Sequence, residues 1–344
     1  MRQHIQVIES LPAVPIQPAG GWFSPRLALR RAWAANWSLT LLGLAMLALL
    51  VVCLAGLALD TRLITNVPAW LKPMKFAISI AIYSCTLLWL LSFVQGHPRL
   101  VWLISVVTTF SFLVEAVVIS LQVVRGVPSH FNFSTPFDET LFSIMGRFVV
   151  LIWLMNLLAA ILLIVQRIPD PAFAWALRLG LLLTLVGGAS GVLMIQPTPA
   201  QLAALQAGRP VHMIGAHSVG VEDGGPGLPV TGWSTTGGDL RVGHFVGLHA
   251  LQAMPLVGWL LGRRHTRRLK DSHRTALTWI AGLAYLGLFL LLIWQALRGQ
   301  PLLAPDLTTL AALGALLGTT GLAGLAVLAH ARRYGAPVLS AELR

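Results

Sequence analysis

The amino-acid sequence predicts an all-α, polytopic transmembrane helix bundle. The chain of 344 residues is 56% hydrophobic and only 10% charged, whereas soluble domains carry about 25% charged residues. Its mean hydropathy is +0.77. The apolar residues fall in unbroken runs of about 20, the length that a helix needs to cross the hydrocarbon core. Short alternating segments, which are typical of a transmembrane barrel, are not the dominant pattern.

Eight apolar runs are visible, and each predicts one membrane-spanning helix. A hydropathy window locates the centre of a span better than its ends, so these bounds are approximate. The predicted spans cover roughly residues 37–59, 74–94, 100–124, 147–166, 173–196, 242–262, 276–297 and 307–331. The chain is thereby divided into an N-terminal segment (1–36), a single transmembrane domain (37–331) and a C-terminal tail (332–344).

The N-terminal segment has no apolar core of the signal-peptide type. Four prolines interrupt any long helix there: Pro12, Pro15, Pro18 and Pro25. We therefore expect no cleaved signal, and we expect the first span to act as its own insertion signal.

The distribution of basic residues predicts the orientation of the bundle. Most of the 24 Lys and Arg residues fall in connections on one side, and the positive-inside rule places that side in the cytoplasm. An even number of spans then puts both termini in the cytoplasm. The same asymmetry explains the sequence pI of about 11.3 without a nucleic-acid partner. The densest basic stretch, 263–270, fits a loop that fixes topology and touches anionic lipid headgroups of the bilayer.

Small residues are concentrated in two of the predicted spans. They are Gly187, Gly188 and Gly191 in the fifth span, and Gly314, Gly318, Gly321 and Gly324 in the eighth. Spacings of three and four place them on one helix stripe, which favours close helix packing. The alternative is a hinge or an unwound substrate-binding segment. Cys53 and Cys85 both lie in apolar spans, so the sequence shows no disulfide framework and no zinc motif.

Three connections on the predicted outer side are long: 60–73, 125–142 and 197–240. Loops above about 15 residues are usually functional or disordered, and the third connection lacks the charge excess of a disordered segment. We therefore expect an ordered cap over the outer mouth of the bundle, with a short interfacial helix over 199–207.

Half of the histidines map to this outer side: His130, His212, His217, His244 and His249. Imidazole is a common ligand of metals and of haem iron, so these five are the candidate ligands of a metal ion or haem. Five positions separate His244 from His249, which places them about 140° and 7.5 Å apart on a regular helix. From a regular helix the pair therefore cannot chelate one ion, but the two residues could serve neighbouring parts of one site, or two sites. A haem would need a second axial ligand from a loop histidine or from a methionine such as Met145 or Met194.

A second candidate site lies within the membrane. Glu115 is the only acid placed well inside a span, roughly 13 Å from its outer end at helical rise. It is predicted to pair with His249 or with Arg147, near the start of the fourth span. Gln252 shares the face of His249, and Arg125 heads a polar cluster in the second outer connection.

Four segments resemble an uncharacterised group of bacterial polytopic membrane proteins. They are Gly225-Pro226-Gly227-Leu228-Pro229, Trp233-Ser234-Thr235, Gly238-Asp239-Leu240-Arg241, and His244 followed by His249-Ala250-Leu251-Gln252. The likeness is most specific across residues 209–255. It implies multi-pass placement in a bacterial inner membrane and implies no particular activity.

Three functions are compatible with these features. The first is an outward-facing metal or haem centre under the 197–240 connection, using copper, zinc or haem iron for redox or metal handling with an electron-transfer partner. The sequence has no His-Glu-x-x-His spacing of a zinc hydrolase, so an enzymatic role stays open. The second is a transporter or permease with a central polar path formed by Glu115, Arg147 and Gln252. The third is a non-catalytic subunit that binds a neighbouring membrane protein and carries no cofactor.

Overall fold

The computed structural model describes residues 24–263 and 269–334. Residues 1–23, 264–268 and 335–344 lie outside the described part. These ranges include most of the predicted N-terminal segment, most of the tail and part of the basic stretch. The apolar runs form helices because backbone groups in a bilayer must pair within their own segment.

Eleven α-helices make up most of the described chain. They are α1 (Pro25–Ala35), α2 (Trp37–Leu59), α3 (Leu71–Leu91), α4 (Pro98–Arg125), α5 (Pro136–Val165), α6 (Pro171–Ala189), α7 (Pro199–Gln206), α8 (Leu240–Leu248), α9 (Ala250–Leu261), α10 (Asp271–Leu297) and α11 (Leu307–Tyr334). A 3₁₀ turn, Ser190–Leu193, extends α6. Five of these helices (α1, α4, α5, α6 and α7) begin with proline, whose fixed φ suits the first helical turn and whose missing N–H costs nothing there.

Two small antiparallel hairpins lie in the connections. Strands β1 (Leu63–Ile64) and β2 (Val67–Pro68) pair with each other, and β3 (Ser218–Val219) pairs with β4 (Gly238–Asp239). The second hairpin brings the two ends of the long connection between α7 and α8 together. The helix α7 matches the short helix expected over 199–207.

The membrane-spanning pattern confirms the predicted fold class. Seven helices are long and apolar enough to cross a membrane, and α8 with α9 passes the same test as a bent pair, which gives up to eight spans. The helix α5 begins eleven residues earlier than its predicted span. Thr135 caps its first turn, which carries Asp138 and Glu139; a hydropathy window passes over such a polar start.

The sixth predicted span is broken at His249, where α8 and α9 meet at an angle of 46°. Pro255 lies inside α9 and has no N–H to donate to the Leu251 carbonyl, and proline is a common cause of such kinks. The regular helix assumed from His244 to His249 therefore ends at His249 itself.

The helices form two groups that share a core. The first group contains α2, α3, α4 and α5, the second contains α6, α8, α9 and α10, and α5 packs on α6. Leu90 of α3, Leu163 of α5, Leu181 of α6 and Leu251 of α9 belong to one buried cluster that joins the groups. The helix α11 packs against α10.

Close packing of α6 on α8 depends on two glycines. A Cβ atom added to Gly187 would lie 2.3 Å from the carbonyl carbon of Gly247, and one added to Gly247 would lie 2.4 Å from Cα of Gly187. The packing role predicted for Gly187 is therefore confirmed. The four glycines of α11 differ, because a Cβ at any of them would meet no atom of the described chain within 4 Å.

The bundle has two faces, which we name by their contents. The loop face carries the α2–α3, α4–α5, α6–α8 and α10–α11 connections. The terminal face carries the remaining interhelical connections and both described ends of the chain, because eight spans return the chain to the side on which it began. The cytoplasmic location of the terminal face remains a prediction from the distribution of charge.

Candidate functional site

A stripe of polar side chains runs along one face of α4, inside the bundle. Its members are Ser105, Thr108, Ser111, Glu115 and Gln122, and each is at most 2% exposed. At 100° and 1.5 Å per residue, these positions lie within an arc of about 120° and span about 25 Å. The hydrocarbon core of a bilayer is about 30 Å thick. This α4 polar stripe therefore crosses most of the membrane.

Both ends of the α4 polar stripe are held by hydrogen bonds. Near the terminal face, Asn36 Nδ2 donates to Ser105 Oγ at 2.6 Å, and the same asparagine caps α2. Near the loop face, Gln122 Nε2 donates to Asp138 Oδ1 at 2.9 Å. Arg125 forms an ion pair with Asp138 and donates to Gln122 Oε1. These contacts fix α4 to α2 and to α5.

The middle of the α4 polar stripe differs from its ends. Thr108 Oγ1, Ser111 Oγ and Glu115 Oε1 are buried and have no hydrogen-bond partner among the described residues. Most buried polar atoms in proteins have a partner, and many that lack a protein partner are paired with ordered water. Three such atoms on one helix face distinguish the middle of the stripe from its hydrogen-bonded ends.

The surroundings of Glu115 are otherwise apolar. Leu42 and Met46 of α2 and Ile80 of α3 form one buried cluster with the α4 residue that follows Glu115. Met145 of α5 belongs to a second cluster, one turn further along α4. Glu115 is thus next to buried apolar clusters along α4, and a charge inside a membrane bundle is costly unless water or a counter-ion reaches it.

Lys72, at the start of α3, supplies positive charge near Glu115. Its ammonium group interacts electrostatically with the Glu115 carboxyl. Lys72 Nζ also lies 3.2 Å from His130 Nδ1, and Ser129 Oγ lies 3.0 Å from the same nitrogen. Burial holds the pKa of His130 well below its usual range, so the ring is neutral.

The long connection covers the loop face beside Lys72 and His130. Asn66 Nδ2 donates to the Gly224 carbonyl at 2.9 Å, Lys75 Nζ donates to the Thr231 carbonyl at 2.9 Å, and the Ile214 N–H donates to the Phe131 carbonyl at 3.0 Å. We call residues 194–239 the cap, because they contact the connections on either side. Its glycine at 215 has φ of +103°, and a Cβ there would lie 2.5 Å from the Met194 carbonyl oxygen.

An imidazole–carboxylate pair stabilises the cap. His217 Nδ1 lies 2.7 Å from Asp223 Oδ2, and Asp223 also accepts from the backbone N–H groups of His217 and Ser218. Burial lowers the pKa of His217. Burial also opposes ionisation of Asp223, but the hydrogen bonds from His217 and Ser218 outweigh it and hold the pKa of Asp223 below its usual range. A neutral imidazole therefore donates to a carboxylate.

The two histidines of the bent span hold helices together. His244 Nδ1 lies 2.9 Å from the Gly187 carbonyl, to which it donates, and this bond ties α8 to α6. His249 Nδ1 lies 3.2 Å from Gln252 Oε1, and Gln252 Nε2 donates to Thr86 Oγ1 of α3 at 3.1 Å.

The structure does not gather the five predicted metal ligands around one point. Within residues 24–263 and 269–334, no group of three or more His, Cys, Asp or Glu side chains could hold a metal ion. His212 is exposed and contributes only its carbonyl, which accepts from the Phe133 N–H at 2.8 Å. The metal or haem centre stays a prediction that this geometry does not strengthen.

Both partners predicted for Glu115 are wrong. Arg147 is exposed on the outer surface of α5, and His249 pairs with Gln252. Sequence reasoning found Glu115 but missed Thr108 and Ser111. The signal was present, because spacings of three and four place all three residues on one helix face. Serine and threonine are common enough in membrane helices that only their burial distinguishes these two.

Comparisons of the chain with family models, with curated proteins and with solved structures found no match. Helix length and composition show that the chain is a multi-pass membrane protein.

Proposed function

We propose that this protein is a membrane transporter whose path follows the α4 polar stripe. The observation that carries the proposal is Glu115: an ionisable side chain, 2% exposed, with a carboxyl oxygen that has no partner. Ionisable residues inside membrane bundles are rare, costly and typical of ion and substrate pathways. The hydroxyl oxygens of Thr108 and Ser111, which also lack a partner in the described chain, lie on the same stripe, closer to the terminal face.

Some other buried polar groups of this bundle are paired, although Thr109 Oγ1 and Ser120 Oγ of α4 also lack a partner among the described residues. Tyr83 Oη donates to Asn156 Oδ1 at 2.9 Å, and His244 pairs with the Gly187 carbonyl. Such pairs hold helices together, as expected of polar residues with a purely structural role. Glu115 Oε1 has no such partner in the described part of the chain, which favours a transport path over a subunit whose polar residues only stabilise the bundle.

Three elements surround the proposed path. The helix α4 packs on α2, α3 and α5, and the ends of its stripe reach the level of Asn36 on one side and of Asp138 on the other.

The resemblance of residues 209–255 to bacterial polytopic membrane proteins supports the bacterial inner membrane as the location of this protein.

Flux through reconstituted liposomes tests the proposal. We expect liposomes that contain the protein to swell or to exchange ions faster than protein-free liposomes for at least one small polar solute or ion. This flux should be lost in Glu115→Gln, which removes the charge and keeps the shape. The matched control is Glu139→Gln, because Glu139 is an exposed carboxylate on the first turn of α5 and its loss should leave the flux unchanged.

Two results would contradict the proposed transport function. A panel of solutes and ions with no protein-dependent flux would contradict the proposal, and so would a flux that Glu115→Gln leaves at the wild-type rate. Size-exclusion chromatography and helical circular dichroism of each variant establish that the fold is intact.

A further inference from the structure

We propose that α1 (Pro25–Ala35) is an interfacial helix, which lies in the headgroup layer of the leaflet on the terminal face and binds anionic lipids through its arginines. This surface is independent of the proposed transport path. Three features carry the proposal: the place where α1 meets the first span, the separation of its apolar and basic residues, and positive charge that no described residue neutralises.

The junction of α1 with α2 fixes the depth of α1. One residue, Asn36, separates α1 from α2 (Trp37–Leu59), and α2 is long and apolar enough to cross a membrane. The span begins at Trp37, which is exposed, and tryptophan is enriched at the boundary between membrane and water. The C-terminal end of α1 therefore lies at the level of the membrane surface.

The helix α1 is separate from the helix of the first span. Asn36 has an extended backbone, with φ of −161° and ψ of 95°, which interrupts the helical chain between them. Its side chain accepts from the Leu39 N–H at 3.1 Å and donates to Ser105 Oγ of α4 at 2.6 Å. These bonds hold the junction on the bundle, so that α1 starts from a fixed point at the membrane surface.

The side chains of α1 are separated by type around the helix. At 100° per residue, an arc of about 160° holds only apolar residues, whereas the opposite arc holds all three arginines. The apolar arc contains Pro25, Ala28, Leu29, Ala32, Trp33 and Ala35. Leu29 and Trp33 are 42% and 46% exposed. A basic face opposite exposed Leu and Trp is typical of helices that lie in the plane of the membrane interface.

The basic face of α1 carries charge without a counter-ion in the described chain. Arg26, Arg30 and Arg31 are exposed, and none of them belongs to an ion pair between described residues. The helix itself contains no Asp or Glu. Anionic headgroups attract basic residues near the membrane surface, and the hydrocarbon beneath them accepts Leu29 and Trp33. An anionic leaflet thus complements both faces of α1 at the depth where the helix lies.

Electron paramagnetic resonance of the full chain in nanodiscs tests the proposal. In a background that carries Cys53→Ser and Cys85→Ser, a nitroxide is attached to Leu29→Cys on the apolar face or to Ala34→Cys on the basic face. Collisions with oxygen, which enters hydrocarbon, and with a nickel chelate, which stays in water, report the depth of each label. We expect residue 29 to be shielded from the nickel chelate and residue 34 to be open to it.

The charge of the lipid is then varied. The nanodiscs contain phosphatidylcholine alone or a mixture with phosphatidylglycerol, which is anionic. We expect the nickel accessibility of residue 29 to fall several-fold when the anionic lipid is present, because the arginines then hold α1 on the surface. The combined substitutions Arg26→Gln, Arg30→Gln and Arg31→Gln should abolish this fall.

The matched control combines Arg99→Gln with Arg167→Gln, since both are exposed arginines elsewhere on the terminal face, and the fall should persist. A label at residue 29 that is as open to the nickel chelate as a label at residue 34 would overturn the proposal. Shielding that does not depend on lipid charge would overturn it as well. Shielding in native membranes that is absent from both kinds of nanodisc would indicate a protein partner instead and would also overturn it.

Discussion

Glu115 and Asp138 are two buried carboxyl groups with opposite surroundings. Asp138 accepts hydrogen bonds from Gln122 and Thr135 and pairs with Arg125. Glu115 leaves an oxygen without a partner. At the scale of single residues, the first carboxyl has a structural role and the second is maintained at a cost to stability, which is typical of functional residues.

This contrast predicts opposite effects on stability. Glu115→Leu replaces an unpaired buried polar group with an apolar side chain of similar volume, so the melting temperature in detergent should stay the same or rise, by the equivalent of about 1–3 kcal/mol at most. Asp138→Leu should lower stability by about 1–3 kcal/mol, because Gln122 and Thr135 lose their acceptor. Thermal unfolding followed by tryptophan fluorescence distinguishes the two. A large loss of stability in Glu115→Leu would show that Glu115 is structural.

The cap should become less stable in acid. The pKa of His217 is lowered in the folded protein by burial, so the unfolded cap binds protons more readily. The contribution of His217 to stability is complete above the usual histidine pKa of about 6.5 and shrinks as the pH falls below it. The lowered pKa of Asp223 adds a loss of the same sign below about pH 4.

Hydrogen exchange of cap peptides at about pH 7.5 and about pH 5.5 measures this effect, after correction for the intrinsic exchange rate. Protection should fall at the lower pH, and His217→Gln should reduce the difference. The control is His212→Gln, since His212 is exposed. Protection that does not change with pH would contradict this account of the cap.

At the scale of elements, helix packing depends on where a glycine has a neighbour. Gly187→Ala places a methyl group 2.3 Å from the Gly247 carbonyl carbon, and overpacking of this kind costs about 1–3 kcal/mol. We expect a lower melting temperature. Gly318→Ala on α11 is the matched control, because a Cβ there meets nothing within 4 Å and alanine favours the helix by up to about 1 kcal/mol. Equal effects of the two substitutions would disprove the proposed α6–α8 contact.

The elements themselves were predictable to different degrees. The bounds of α2 follow from hydropathy alone, because Asn36 and Asp60 flank an unbroken apolar run. The start of α5 does not, since Thr135 caps a first turn that is polar. The break at His249 depends on tertiary packing around Gly247 and Pro255, which a hydropathy pattern does not report.

The same division applies to the candidate site. The depth of Glu115 follows from its position along one span, so its burial could be predicted. Its neighbours could not, because helix order and rotation decide that Lys72 acts on it electrostatically while Arg147 is exposed. The metal hypothesis had the same weakness, since the number of histidines on one side says nothing of the distances between their rings.

At the scale of the whole molecule, the charge distribution predicts that the terminal face is cytoplasmic. His97 and His212 are exposed on opposite faces. In a background that carries Cys53→Ser and Cys85→Ser, we expect an impermeant maleimide to label His212→Cys on intact spheroplasts. His97→Cys should be labelled only after lysis. The reverse pattern would invert the bundle and the direction of the proposed path.

The central claim is that Glu115 lies on a transport path, so that its carboxyl is reached from the aqueous phase during the transport cycle. Infrared difference spectroscopy across a pH titration tests it most directly, with Glu115→Gln as the reference. The account predicts a carboxylic-acid carbonyl band that titrates, is absent from Glu115→Gln and shifts when the sample is transferred to D₂O. A spectrum without such a band, or a band that D₂O leaves in place, would show that the carboxyl is sealed from water and would contradict the account.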